Sequence, residues 1–152
     1  MLMSDTCIRE AVPADIDQIN ELIREHMEYE GATIDKMMDG KALSFHLFSA
    51  KTIICLVVEH EREIVGYATF MQQFSTWEAG FYLYLDCLYM KETARGRGTG
   101  KQMMQVIIDR AKAMKCREIQ WQTPFFNKQA IGFYRRLGAI SLNKERFFFH
   151  VC

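Results

Sequence analysis

A glycine- and arginine-rich stretch stands out as a place where this chain could hold an anion. It reads Arg95-Gly96-Arg97-Gly98-Thr99-Gly100-Lys101, and it lies between an apolar run, Phe81–Met90, and an amphipathic stretch that starts at Gln102. This order predicts a strand, a glycine turn and a helix. Glycines let a ligand approach the main chain closely, and the first N–H groups of a helix lack internal partners and carry positive partial charge. The stretch therefore predicts a phosphate-binding turn, with a purely structural tight turn as the alternative.

The spacing of the glycines restricts which phosphate ligand fits. The nucleotide-binding pattern G-x-x-x-x-G-K-[ST] fails because Gln102 follows Lys101. The dinucleotide pattern G-x-G-x-x-G fails because the glycines stand at positions 96, 98 and 100. The spacing that fits is Arg-x-x-Gly-x-Gly, beginning at Arg95.

Composition limits the class of protein that carries this turn. The chain has 152 residues, and we expect one domain over residues 1–152. Its 19 basic and 19 acidic side chains balance, which argues against a general attraction to nucleic acid or anionic membranes. No apolar run reaches the length of a membrane span, and we expect a cytoplasmic protein. The five scattered cysteines predict reduced thiols and no metal site.

The patterns along the chain predict the order β-α-α-β-β-β-α-β-α-β-β. This order indicates an α/β fold with a mixed sheet and helices on both faces. Several boundaries are specific enough to test: a second helical region over 34–48, a strand over 118–123, a last helix over 127–137 capped by Asn127 and ended by Gly138, and a closing hairpin of 140–142 with 146–151.

Over essentially its whole length the sequence resembles the GNAT N-acetyltransferase superfamily. The resemblance is carried by the Arg-x-x-Gly-x-Gly turn after the central strand and by Asn127 seven residues before Tyr134. Within the superfamily the chain is most similar to the spermidine/spermine and thialysine N-acetyltransferase branch. Motifs similar to that branch are Tyr29-Glu30, Tyr84-Leu85-Asp86 and Gly132-Phe133-Tyr134-Arg135-Arg136-Leu137-Gly138. The resemblance implies a mostly antiparallel central sheet, the GNAT acyl-CoA N-acyltransferase fold.

The resemblance also implies acetyl-CoA as co-substrate and assigns residues to it. The backbone of Gly96–Lys101 would hold the pyrophosphate, with Arg95, Arg97, Gly98, Thr99 and Gly100 in the same turn. The pantetheine arm would pair with the backbone of Leu88, Tyr89 and Met90, and Asn127, Lys128 and Ala130 would contact it from the last helix. The backbone N–H of Leu88 is the expected oxyanion donor.

Transfer to an amine further needs a general acid and a base. By the same resemblance Tyr134 would protonate the departing thiolate, and the alternative is an aromatic side chain that packs in the core. Asp86 would accept the proton of the amine, directly or through water. A charge inside an apolar strand is costly unless it is used or paired, and the alternatives are a solvent-facing residue or a buried salt bridge.

We expect a small cationic amine as acceptor, polyamine- or thialysine-like. Its pocket would be lined by Tyr29, Glu30, Asp86, Gln120, Trp121 and Gln122. Aminoglycosides, protein lysines and protein N-termini stay open as acceptors. A binding module that holds acyl-CoA without turnover and a weakly indicated nucleic-acid binder also stay open.

Three further predictions concern single residues and the oligomeric state. Cys87 could be reactive, and His26 and His46 are interpreted as polar residues without a catalytic role. A homodimer is expected.

Overall fold

A computed structural model describes residues 5–32 and 40–151 of the chain. Their contacts separate into two compact units, Met1–Gln122 and Thr123–Cys152. The first unit contains the sheet and three of the helices. The second contains the last helix and the C-terminal segment, and each unit is described by itself.

The sheet of the first unit has five strands in sequence order, β1-β2-β3-β4-β5. The first four pair antiparallel and β5 pairs parallel to β4. Their bounds are β1 Thr6–Glu10, β2 Ile54–His60, β3 Glu63–Ser75, β4 Gly80–Met90 and β5 Ile119–Gln120. The expected mixed, mostly antiparallel sheet is thereby confirmed.

Four α-helices accompany the strands in the described residues. They are α1 Ile16–Tyr29, α2 Gly40–Ser44, α3 Thr99–Ala113 and α4 Lys128–Arg136, and α2 runs on into a π-helical turn, Phe45–Ser49. Gly138 follows α4 with φ of 94°, as expected for the glycine that ends the last helix, and Gly31 follows α1 in the same way with φ of 70°. None of the helices in the described ranges is long and apolar enough to cross a membrane.

Both faces of the sheet are buried. On one face Ile19 and Leu22 of α1 pack in a cluster with Val57 and Tyr67, all at most 1% exposed. Leu56 and Val58, which flank Val57 in β2, point to the opposite face and are buried as well, so a second layer covers that face. Helix α3 contacts β4 and buries Met103 and other apolar residues outside the first cluster, so we assign α3 to that second layer.

The entry into α1 is fixed by a buried ion pair. Asp15, 6% exposed, accepts two hydrogen bonds from the Arg9 guanidinium and one from the backbone N–H of Val12. The hydrogen bonds from Arg9 lower the pKa of Asp15 below its usual value, although burial opposes the shift. Arg9 also binds Glu59 at 2.8 Å, so the pair ties the start of α1 to β1 and β2.

Two expectations for the C-terminal part of the chain were wrong. Residues 139–151 form no strand, so the closing hairpin is absent from this described segment. Phe147 and Phe149 are 89% and 94% exposed, and a strand without a neighbour gains no ladder hydrogen bonds. The strand expected over 118–123 is shorter, at Ile119–Gln120, because its pairing to β4 covers two register positions. The first part of the helix expected over 34–48 lies outside the described residues.

Candidate active site

A β-bulge places Asp86 on the surface of the central strand. Thr69 of β3 pairs with Cys87 and Phe70 pairs with Leu85, so Asp86 is the extra residue of β4. A bulge bends its strand and re-aims side chains, and bulges are frequent next to active sites. Asp86 is exposed, so the burial cost assumed from the apolar sequence around it does not apply. The bulge instead presents the carboxylate to solvent or to a ligand.

One edge of β4 is open beyond this bulge. The parallel pairing with β5 covers Leu83 and Tyr84, and no other described strand pairs with β4 on that side. The backbone of the following residues is therefore a row of peptide groups to which an extended ligand can add like another strand, and at its end the Met90 carbonyl accepts from Arg95 Nε. This is the segment for which pairing with pantetheine is expected.

The glycine turn has the backbone geometry of an anion site. Gly96 and Gly98 have φ of 74° and 79°, and a Cβ at either position would have no atom within 4 Å. The first i→i−4 bond of α3 runs from the Gln102 N–H to the Gly98 carbonyl at 3.1 Å, so the N–H groups of Thr99, Gly100 and Lys101 precede it. The turn therefore has open space in front of it and N–H donors beside it, which fits a pyrophosphate.

The Arg95 side chain, which was predicted to help bind the pyrophosphate, packs against aromatic rings. Its guanidinium lies 4.6 Å from the Tyr29 ring centroid and 5.4 Å from that of Tyr89. Its Nε donates to the Met90 carbonyl at 2.9 Å. A predicted phosphate-binding residue thus contacts Tyr29, a predicted acceptor-pocket residue.

The end of α1 forms the second side of the site. Tyr29 is the last residue of the helix and Glu30 caps it. The Glu30 carboxylate binds His26 Nε2 at 3.2 Å, and His26 Nδ1 binds the Tyr67 hydroxyl at 2.7 Å. The His26 ring also stacks on Tyr89, with centroids 5.1 Å apart. Sequence reasoning set His26 aside, although its place four residues before Glu30 puts both on one helix face.

Cys87 lies within electrostatic reach of both sides of the site. Burial raises the pKa of its thiol to about 11, with a further contribution from Asp86 and a smaller one from Glu30. Contacts connect two predicted carboxylates to this region: Asp86 Oδ2 accepts from the Cys87 thiol at 3.8 Å, and Glu30 binds His26, which bonds Tyr67 of the core cluster that Cys87 packs against. Two such carboxylates can bind a cationic amine and accept a proton from it.

The raised pKa predicts that Cys87 is unreactive near neutral pH. At pH 8 a thiol with a pKa of about 11 is about one-thousandth thiolate, so we expect iodoacetamide to modify Cys87 about 100-fold more slowly than an ordinary exposed thiol. The modification rate of Cys87 should increase with pH until the pH approaches the pKa of its thiol. Peptide mass spectrometry at several pH values measures this, with the exposed Cys7 as internal comparison. Equal modification rates of Cys87 and Cys7 at pH 8 would contradict a raised pKa of the Cys87 thiol.

The predicted acceptor-pocket residues Gln120, Trp121 and Gln122 lie at or just after the end of β5, and the first and the last of them contact Tyr84. Gln122 Nε2 donates to the Tyr84 hydroxyl at 3.2 Å, and Gln120 pairs with Tyr84 in the sheet. The Gln120 side chain donates to Glu118 at 2.6 Å, and Trp121 between them is half-buried. Their role in the acceptor pocket stays a prediction.

The remaining predicted residues belong to the second unit. Asn127 Oδ1 accepts from the Ala130 N–H at 3.2 Å, which confirms the expected cap of α4. Lys128 begins the helix. Tyr134 is half-buried, and its ring lies 5.3 Å from that of Phe133. The catalytic role of Tyr134 and the contacts of Asn127, Lys128 and Ala130 with a ligand stay predictions.

The chain is similar to known proteins in sequence and in fold. The model of the acetyltransferase (GNAT) family matches residues 17–139. A thialysine N-epsilon-acetyltransferase from Bos taurus is 31% identical over 151 residues, which cover 93% of this chain and 88% of that protein. The human spermidine/spermine N(1)-acetyltransferase-like protein 1 is 25% identical over 146 residues, 91% of this chain and 21% of that protein. Among solved structures, an aminoglycoside acetyltransferase from an uncultured soil metagenomic sample superposes with a TM-score of 0.80 at 18% identity, covering 97% of each chain.

Proposed function

Because the chain belongs to the acetyltransferase (GNAT) family and is therefore an acetyl-transferring enzyme, we propose that it moves the acetyl group of acetyl-CoA directly to a primary amine of a small cationic molecule. The acceptor is polyamine-like or thialysine-like. The observation that carries this proposal is the exposed Asp86 carboxylate in the bulge of β4, next to the open edge of that strand. Carboxylates such as Asp86 and Glu30 attract an alkylammonium group, whose ordinary pKa is about 10.4.

In this proposal the backbone around the turn and β4 binds acetyl-CoA. The N–H groups of Thr99, Gly100 and Lys101 bind the pyrophosphate, and the open edge of β4 from Leu88 to Met90 binds the pantetheine arm. The Leu88 N–H stabilises negative charge on the carbonyl oxygen while the amine attacks. The open edge of β4 and the glycine turn follow each other in the sequence. This supports the binding of the pantetheine arm and the pyrophosphate by consecutive parts of the chain.

Proton transfer is assigned to two side chains. Asp86 takes the proton from the ammonium group, directly or through a water molecule, and Tyr134 gives a proton to the departing thiolate. The exposure of Asp86 leaves its carboxylate accessible to a cationic substrate. Tyr29 and Glu30 contact the acceptor, with Gln120, Trp121 and Gln122 on the other side.

The test is acetyl-CoA consumption, followed as thiol release, against a panel of amines. The panel contains spermidine, thialysine, lysine, an aminoglycoside and a lysine peptide. We expect rapid turnover with spermidine or thialysine. Turnover with the aminoglycoside or the peptide alone would replace the proposed acceptor class. Tight acetyl-CoA binding with no turnover on any amine would favour the binding-module alternative.

We further propose that the enzyme is a homodimer. The C-terminal segment exposes Phe147, Phe148 and Phe149 at 75–94%, a larger apolar run than a monomer usually leaves in water. Sedimentation at micromolar concentration should show a dimer, and a variant with all three phenylalanines changed to serine should shift toward the monomer. The control is Trp77→Ser, which removes a single 98% exposed ring elsewhere. A monomeric wild type would contradict the proposal.

A further inference from the structure

His26 connects the acceptor side of the proposed site to the protein core. Its side chain is 13% exposed, and both ring nitrogens are bonded, one to Glu30 and one to Tyr67. We infer that His26 is a positioning residue that holds the Glu30 carboxylate in place for the cationic amine. This inference deepens the proposed function and rests on it.

The partners of the ring determine the direction of its hydrogen bonds. An ionised carboxylate only accepts, so the Nε2–H of His26 donates to Glu30. In the neutral ring Nδ1 then carries a lone pair, and the Tyr67 hydroxyl donates to it. The chain of bonds therefore fixes one tautomer of His26.

Tyr67 is a rigid anchor for this chain. The residue is fully buried in β3, and burial keeps the pKa of its hydroxyl far above the ordinary value, so the proton stays in place. Cys87, the residue after Asp86 on β4, packs against the core cluster that contains Tyr67. The hydrogen bonds thus run from Glu30 through His26 to Tyr67, in the core cluster against which Cys87 packs.

The location of Glu30 explains why such an anchor is needed. The residue caps the C-terminus of α1, where the helix dipole is negative and a carboxylate is unfavourable. Its side chain is 31% exposed, and a glutamate so placed has many accessible rotamers. The bond from His26 selects one of them, and the ring is itself fixed by stacking on Tyr89.

Two substitutions separate the two bonds of the ring. His26→Asn keeps an amide near the position of Nδ1 and removes the donor to Glu30, whereas His26→Gln reaches toward Glu30 and gives up the bond to Tyr67. We expect His26→Asn to raise the KM for the amine about 10-fold and to leave the KM for acetyl-CoA within about 2-fold. The KM of His26→Gln for the amine should be close to the wild-type value. The matched control is His46→Asn, at an exposed histidine that bonds Thr52.

The outcomes distinguish this inference from the proposed function. Turnover by the wild type with an unchanged amine KM in His26→Asn, or with equal increases of both KM values, overturns the inference and leaves the function standing. Silence of the wild type with every amine overturns the function. In that case ¹⁵N NMR of the histidine rings tests the contact itself: a fixed Nε2–H tautomer that is lost in Glu30→Ala shows that His26 holds Glu30, and the same spectrum in both proteins overturns the inference.

Discussion

Replacing Tyr134 with phenylalanine should lower kcat by about 100-fold or more and leave the Kd of acetyl-CoA within about 2-fold. The substitution removes one oxygen and keeps the ring, so the half-buried packing beside Phe133 is preserved. A thiolate that leaves without a proton donor has to take its proton from water, which is slower than transfer from a placed hydroxyl. Stopped-flow or steady-state thiol release, together with calorimetric titration of acetyl-CoA, measures both quantities.

The control for this experiment is Tyr82→Phe. Tyr82 lies on β4, and its hydroxyl donates to Gln73 at 2.6 Å, outside the proposed machinery. We expect the Tyr82 variant to keep its kcat within about 2-fold, since loss of one part-buried hydrogen bond affects mainly stability. An unchanged kcat in Tyr134→Phe would remove Tyr134 from the role of general acid. It would not affect the assignment of the family.

Asp86→Asn should lower kcat/KM for the amine by about 100-fold, in the range expected for a general base. Asparagine has nearly the same shape and fits the bulge, so the loss of charge and basicity is isolated from the backbone geometry. The reduced attraction for an ammonium group should also raise the amine KM. Initial rates over a matrix of amine and acetyl-CoA concentrations separate these contributions.

Two further variants define what the result means. Asp86→Glu keeps a carboxylate and makes the side chain one methylene longer. A kcat/KM between those of the wild type and Asp86→Asn would show that basicity at this bulge matters more than reach. Asp109→Asn, an exposed position on α3 where the carboxylate binds Gln105, is the charge-matched control. If Asp86→Asn and Asp109→Asn had the same kinetics, Asp86 would not be the base.

Local chemistry was readable from the sequence because neighbouring residues encode it. The glycine turn, the helix that begins after Gly98, the ends at Gly31 and Gly138 and the cap at Asn127 all follow from the conformational limits of those residues. The apolar and aromatic run 81–90 also predicted a strand near the observed bounds of β4. These features depend on residues within one turn or one strand, so distant parts of the chain do not alter them.

The contacts between distant residues that form the site depend on the tertiary structure. The bulge at Asp86 depends on the register between β3 and β4, and no pattern within β4 specifies it. The pairing of His26 with Tyr67 crosses 41 positions, and the turn of Arg95 toward Tyr29 likewise links two distant elements. The C-terminal aromatic run is strand-like in sequence, yet a strand exists only where another backbone meets its hydrogen bonds. Residue type therefore determined which chemistry the chain carries, and the packing of α1 against the bulged sheet determined which of those residues meet.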